Sequence, residues 1–118
     1  MATLADNTVH FDLASLKTRL GNNETVIEQF IALITMNLDK PTSTLIEELR
    51  NSLNQKDVVS LHATAHKLKG TALSSSLTHL ANLASAIEKE KGLDKDSIEG
   101  LIDEIVAEVA LLKQLIPQ

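Results

Sequence analysis

The chain has no cysteine, no tryptophan and no tyrosine, and of its 118 residues two are phenylalanine, two are proline and four are glycine. Without cysteine there is no disulfide framework and no thiolate chemistry, which suits a reducing compartment, and a cytoplasmic protein is expected. So few rings leave little for nucleic-acid bases to stack on. Basic residues are also in the minority, 11 against 16 acidic for a net charge of −5, so no concentrated cationic face awaits a phosphate backbone. Nucleic acid is therefore not an expected partner. No apolar run approaches the roughly 20 residues that a membrane span needs, and MATLADNTVH has no basic region leading into an apolar stretch. Neither membrane insertion nor a secretory leader is expected. Glycine-rich phosphate loops and glycine-flanked nucleophilic serines are missing too, and the length leaves no room for an ATP-binding kinase domain.

What is present is 43% hydrophobic residues against 23% charged, the balance of a globular chain, in a length that suits one domain over residues 1–118. Apolar residues recur at three- and four-residue spacing almost throughout, and no alternating run is long enough to argue for a strand. An all-α protein is expected. A first helix runs from about Asp12 to Leu20, with Leu13, Leu16 and Leu20 on one side and Gly21 as its stop. Asn22 and Asn23 are placed to cap a second, from about Glu24 to Leu38, in which Val26, Phe30 and Leu33 widen the stripe of Ile27, Ile31, Ile34 and Leu38 into a broad core face. Pro41 fits the first turn of a third helix reaching about Asn54. Asp57 caps a fourth, about Val58 to Leu73, and Ser74 to Ser76 break the pattern and offer the next cap. Leu77, Leu80, Ala84 and Ile87 mark a fifth helix ended by Gly92, and a sixth runs from about Lys95 to Leu115 before Pro117. Such short connections favour antiparallel neighbours, giving an up-down four-helix bundle with one or two additional short helices.

The fourth helix, VVSLHATAHKLKGTAL, carries the chemistry. Its core stripe is Val58, Leu61, Ala65, Leu68 and Ala72, and His66 projects about 130° from the centre of that stripe, into solvent. Around it on the helical wheel lie Val59, Ala63, Gly70 and Leu73, with His62 and Lys69 toward the core boundary. A solvated face would ordinarily carry Glu, Lys, Gln and Arg, so an exposed histidine among small and apolar residues reads as a docking surface. Gly70 supports this, because glycine inside a helix costs roughly 1 kcal/mol relative to alanine and its missing side chain leaves room beside the imidazole. His62 and His66, four residues apart, have the spacing of two metal ligands. HATAH, however, lacks the glutamate of a zinc-protease helix and has no evident third ligand, so no metal is expected. Lys67 reads as solvent-facing charge, and His10 and His79 have no constellation around them.

His66-Lys67-Leu68-Lys69-Gly70 resembles the H-x-L-K-G motif of histidine-containing phosphotransfer (HPt) domains. Ala65, Thr71-Ala72, Leu80, Ala84 and Ile87 are similar to the family pattern as well, while Ser76 departs from it by standing where glycine commonly precedes the next helix. The resemblance implies a phosphoryl carrier in a two-component phosphorelay rather than an autonomous enzyme. His66 would be the phospho-accepting nucleophile, Lys69 would stabilise charge on the phosphoryl group, and Gly70 would give steric access. His62, Val59, Ala63, Lys67 and Leu73 would contribute to binding, and Leu13, Leu16 or Leu20 would either extend the docking face or, as is commoner for any single one, close the end of the bundle. The implied partners are response-regulator receiver domains and a sensor histidine kinase, with Mg²⁺ held in the receiver and no cofactor in this chain, which is expected to be monomeric. The alternative is a non-phosphorylated helical adaptor that binds partners through the same patch.

Overall fold

The computed structural model describes residues 2–3, 9–91 and 94–116. Among them six helices follow a short ribbon: β1 (Ala2–Thr3), β2 (Val9–Phe11), α1 (Leu13–Arg19), α2 (Glu24–Leu38), α3 (Lys40–Asn54), α4 (Val58–Ser74), α5 (Thr78–Lys89) and α6 (Lys95–Leu115). The fold is all-α. The ribbon is an addition that no alternation announced, because a strand of two or three residues is too short to show a period. β2 pairs antiparallel with β1 and lies on α5 and α6.

Helices α3, α4, α5 and α6 form a closed ring in which each packs on the next and α6 returns to α3. Ion pairs Lys113–Asp39 and Arg50–Asp103 tie opposite ends of α3 and α6 and show the two to be antiparallel. Leu49, Leu61, Leu68, Leu80, Ile87, Ile98, Ile102, Ile105 and Leu112 are fully buried between the four helices. This aliphatic filling is what a chain almost without rings can pack. α2, as long as α3, lies outside the ring against α3 and α6. Because it touches the bundle from one side, it buries a narrow stripe of Ile27, Ile34 and Leu38, whereas Val26 and Leu33 are exposed rather than part of a broad core face.

The helix ends follow local chemistry. Asp12, Asn23, Asp57 and Asp94 each accept a hydrogen bond from the backbone N–H three residues on, at 3.0–3.2 Å, which satisfies an otherwise orphan donor. α1, α3 and α4 end in left-handed residues, Gly21 (φ 67°), Lys56 (φ 56°) and Ser76 (φ 57°). In each case the next N–H bonds back to the helix, as in Leu77 N–H to the Ala72 carbonyl at 2.8 Å. The serines after α4 do not cap α5. Its N-cap is Leu77, without a side-chain bond, because Ser76 is used to stop the preceding helix. Gly92 and Pro117 lie outside the described residues; α5 closes at Glu90, whose N–H bonds the Ile87 carbonyl.

Candidate functional site

On α4, Leu61, Ala65, Leu68 and Ala72 are fully buried, and this fixes the rotation of the helix. His66 consequently faces outward with 69% of its side chain exposed. Its neighbours on that face, Val59 and Leu73, are 80% and 56% exposed, with Ala63 and Gly70 open beside them. An added Cβ at Gly70 would meet no atom within 4 Å. His62 and Lys69 sit at the boundary, partly buried, and Lys67 is exposed. The structure thus brings together all eight residues singled out on this helix.

The leucines of α1 do not join them. Leu16 is fully buried, and Leu13 and Leu20 pack partly buried against the core. A seven-residue helix has one apolar stripe, and here that stripe closes the end of the bundle.

A residue outside the motif completes the site. Glu88 of α5 places Oε1 3.0 Å from His66 Nδ1 and Oε2 2.9 Å from Lys69 Nζ. The Lys69 ammonium first, and the His66 contact second, hold its carboxyl below the ordinary value of 4.5. An ionised carboxylate can only accept hydrogen bonds, so His66 must donate from Nδ1, and in the neutral ring the lone pair then resides on Nε2. The nitrogen with the free lone pair is therefore the one on the far side of the ring from Glu88. The signal for Glu88 was present in the sequence: if α4 and α5 are antiparallel about Leu77, position 88 falls opposite position 66 and one residue after the core residue Ile87.

A second histidine cluster was not anticipated. His10 on β2 and Glu108 on α6 are each 4% exposed, with His10 Nδ1 2.8 and 2.7 Å from the two carboxylate oxygens. The ring of His79 on α5 stands edge-on to His10 at a centroid distance of 5.3 Å. These histidines do have a constellation, which the helical pattern concealed because its members come from three separate elements. No group of three or more His, Cys, Asp or Glu suited to a metal ion occurs among the described residues, and no helix among them is long and apolar enough to cross a membrane.

Comparison with known proteins bears on the same region. The Hpt domain family model matches residues 42–116, from the first turn of α3 to the end of α6. Among solved structures, the HPT domain from the Hpt sensor hybrid histidine kinase from Shewanella aligns over 90% of this chain and 92% of its own, with a TM-score of 0.64 and 18% identity. That likeness is one of fold. No curated protein sequence matches the chain. With well over half of its length under the family model, and the H-x-L-K-G residues on the matched bundle, the chain belongs to the Hpt domain family, the histidine phosphotransfer modules of phosphorelays.

Proposed function

We propose that this chain accepts a phosphoryl group on Nε2 of His66 from the aspartyl phosphate of a receiver domain and passes it to a second receiver. The observation that carries the proposal is the exposed imidazole held by Glu88, on a face of small and apolar residues that a partner can cover. In the transfer the Nε2 lone pair attacks phosphorus in line, the bond from phosphorus to the aspartyl oxygen breaks, and the carboxylate leaves with the electron pair. No proton has to be removed from Nε2. Nδ1 keeps its hydrogen, and the positive charge that grows on the ring lies against the Glu88 carboxylate. Lys69 is placed to turn from Glu88 toward the phosphoryl oxygens once they arrive, and Gly70 leaves the approach open.

Magnesium and the acidic pocket belong to the receiver in this scheme, so the chain acts as a carrier and not as a complete catalyst. A sensor histidine kinase supplies phosphoryl groups upstream, and the compartment shared with such partners is the cytoplasm. The test is incubation with phosphorylated receiver domains and Mg²⁺, followed by detection of acid-labile phosphate on this chain. Labelling of the wild type and none of His66→Gln is expected. Receiver binding without labelling of the wild type would instead identify a non-phosphorylated adaptor and overturn the proposal.

A further inference from the structure

Two turns beyond His66, α4 meets α1 across an open cleft. Its walls are Asp12, Ser15 and Arg19 of α1, Leu73 of α4, and Ser76 with Thr78 at the start of α5, enclosing a volume of about 250 Å³. Leu73 lies within about 20° of His66 on the helical wheel and about 10 Å along the axis. A specific protein interface covers roughly 800 Å² per partner, a disc of about 16 Å radius, so any protein that reaches the His66 imidazole head-on also covers this cleft.

The cleft holds a cation that is hydrogen-bonded to the α4–α5 turn and has no ion-pair partner among the described residues. Arg19 Nη2 donates to the Ser74 carbonyl at 3.2 Å and to Ser76 Oγ at 2.5 Å, which pins the guanidinium against the α4–α5 turn. No carboxylate among the described residues comes within 4.0 Å of it, and the one acid in the cleft, Asp12, instead accepts the Ser15 N–H and caps α1. A guanidinium carries five N–H donors in a rigid fork, and those on Nε and Nη1 have no protein acceptor among the described residues. These two bonds reduce the side-chain entropy that an ion pair has to overcome and orient the group toward a planar anion. Leu73 beside it supplies apolar surface.

We propose that this cleft is a selectivity site on the docking face, in which Arg19 pairs with an acidic side chain of the receiver partner while an apolar side chain of the same partner covers Leu73. The role presupposes phosphotransfer at His66. Receivers with a carboxylate at that place would be favoured, and receivers with a basic residue there would be disfavoured by repulsion from the Arg19 guanidinium.

The experiment measures the initial rate of phosphoryl transfer against the concentration of a phosphorylated receiver that serves the wild type. Arg19→Glu should raise the half-saturating concentration on the order of fivefold or more at low salt, with the saturated rate unchanged and the difference shrinking as salt is added. Arg19→Lys keeps the charge and should stay within about twofold of wild type. Because Arg19 also braces the turn, a second variant leaves it in place: Ser15→Glu sits at the third position of α1, where glutamate favours the helix, and puts a competing carboxylate into the cleft. It should weaken receiver binding in the same way without lowering the thermal midpoint. Wild-type saturation in both Arg19→Glu and Ser15→Glu would overturn the proposal, as would equal losses in Arg19→Lys and Arg19→Glu that follow thermal stability. Failure of every receiver to label the wild type would fall on the phosphotransfer reading instead.

Discussion

Two histidine–glutamate pairs occur in this molecule, His66 with Glu88 and His10 with Glu108, and in both an Nδ1 faces a carboxylate at 3.0 Å or less. Distance alone would rank the His10 pair as the stronger. Yet His10 and Glu108 are each 4% exposed, the Nε2 of His10 is buried with no hydrogen-bond partner among the described residues, and the ring of His79 stands edge-on to it. No second protein can reach it. The His66 ring presents its Nε2 edge to solvent beside a glycine with nothing within 4 Å of its Cβ position. A carboxylate that orients an imidazole is therefore compatible with either setting, and access to the opposite nitrogen separates a histidine that a partner can reach from one that fastens a strand to a bundle.

The sharpest way to break the comparison is to exchange the consequences of mutation. His66→Gln should abolish phosphoryl acceptance and leave the helical circular dichroism and thermal midpoint unchanged, since the side chain lies outside the core. His10→Gln should keep acceptance per folded molecule. Loss of labelling in folded His10→Gln, or normal labelling of His66→Gln, would show that the two roles are assigned the wrong way round.

The next largest effect is expected at the buried pair. His10→Ala leaves Glu108 buried without its partner, and breaking a buried pair from one side costs about 3–5 kcal/mol. That is a large part of the roughly 5–15 kcal/mol by which domains of this size are stable. The double variant His10→Leu with Glu108→Leu removes both polar groups and should recover most of the loss. Urea unfolding of the single and double variants checks this, and equal losses in both would mean that packing rather than the unpaired carboxylate sets the penalty.

The unequal legibility of the two pairs has a physical reason. His66 could be placed from sequence because a helix of strict period fixes the direction of every side chain on it once the core stripe is known, and Leu61, Ala65, Leu68 and Ala72 define that stripe without ambiguity. Glu88 required one further step, the antiparallel pairing of α4 with α5. The His10 pair joins β2 to α6 across nearly the whole chain, and no local period carries such information. Glu108 even stands on the buried side of α6 among Ile102, Ile105 and Leu112, where it reads as an interruption of the stripe and not as half of a pair. The sequence left two fates open for the α1 leucines for a related reason: a helical pattern shows that a stripe is apolar but not whether the bundle or a partner will cover it, and here the bundle covers Leu16 fully and Leu13 and Leu20 in part. Ser76 shows a substitution that sequence could flag but not resolve. The turn keeps the left-handed residue that favours glycine, with Arg19 and the Asp12 N–H bracing it through the hydroxyl and the carbonyl.

Glu88→Gln probes what the exposed pair adds. The amide cannot match an ionised acceptor, but solvent screens the difference at so exposed a site, so transfer should slow by roughly tenfold at most. Lys69 and His66 lower the Glu88 pKa, so the carboxylate stays ionised below its ordinary value of 4.5. Its stabilising contacts are thus present above that value and are lost only as pH falls through the lowered one. The ratio of wild-type to Glu88→Gln rates should accordingly be flat above about pH 7.5, where an ordinary imidazole is neutral with or without the carboxylate. A ratio that changes steeply within that range would mean that Glu88 titrates during the reaction and acts as more than an orienting acceptor.

The smallest effect is expected at Gly70, and it sharpens the contrast because it concerns empty space. Gly70 lies within regular α4, away from the left-handed residues of the turns, so its backbone does not require glycine. A methyl group there would meet no atom within 4 Å. Gly70→Ala should therefore stabilise the fold by up to about 1 kcal/mol through helix propensity and the reduced freedom of the unfolded chain. Retention of glycine against that gain is explained if the space belongs to a partner. A longer side chain at the same position should leave stability near that of the alanine variant while obstructing the approach to His66 Nε2, so Gly70→Gln should transfer more slowly than Gly70→Ala at equal receiver concentration. Thermal midpoints and transfer rates for the two variants separate the contributions, and a Gly70→Gln protein that transfers at the wild-type rate would show that the open surface beside His66 is not where the receiver enters.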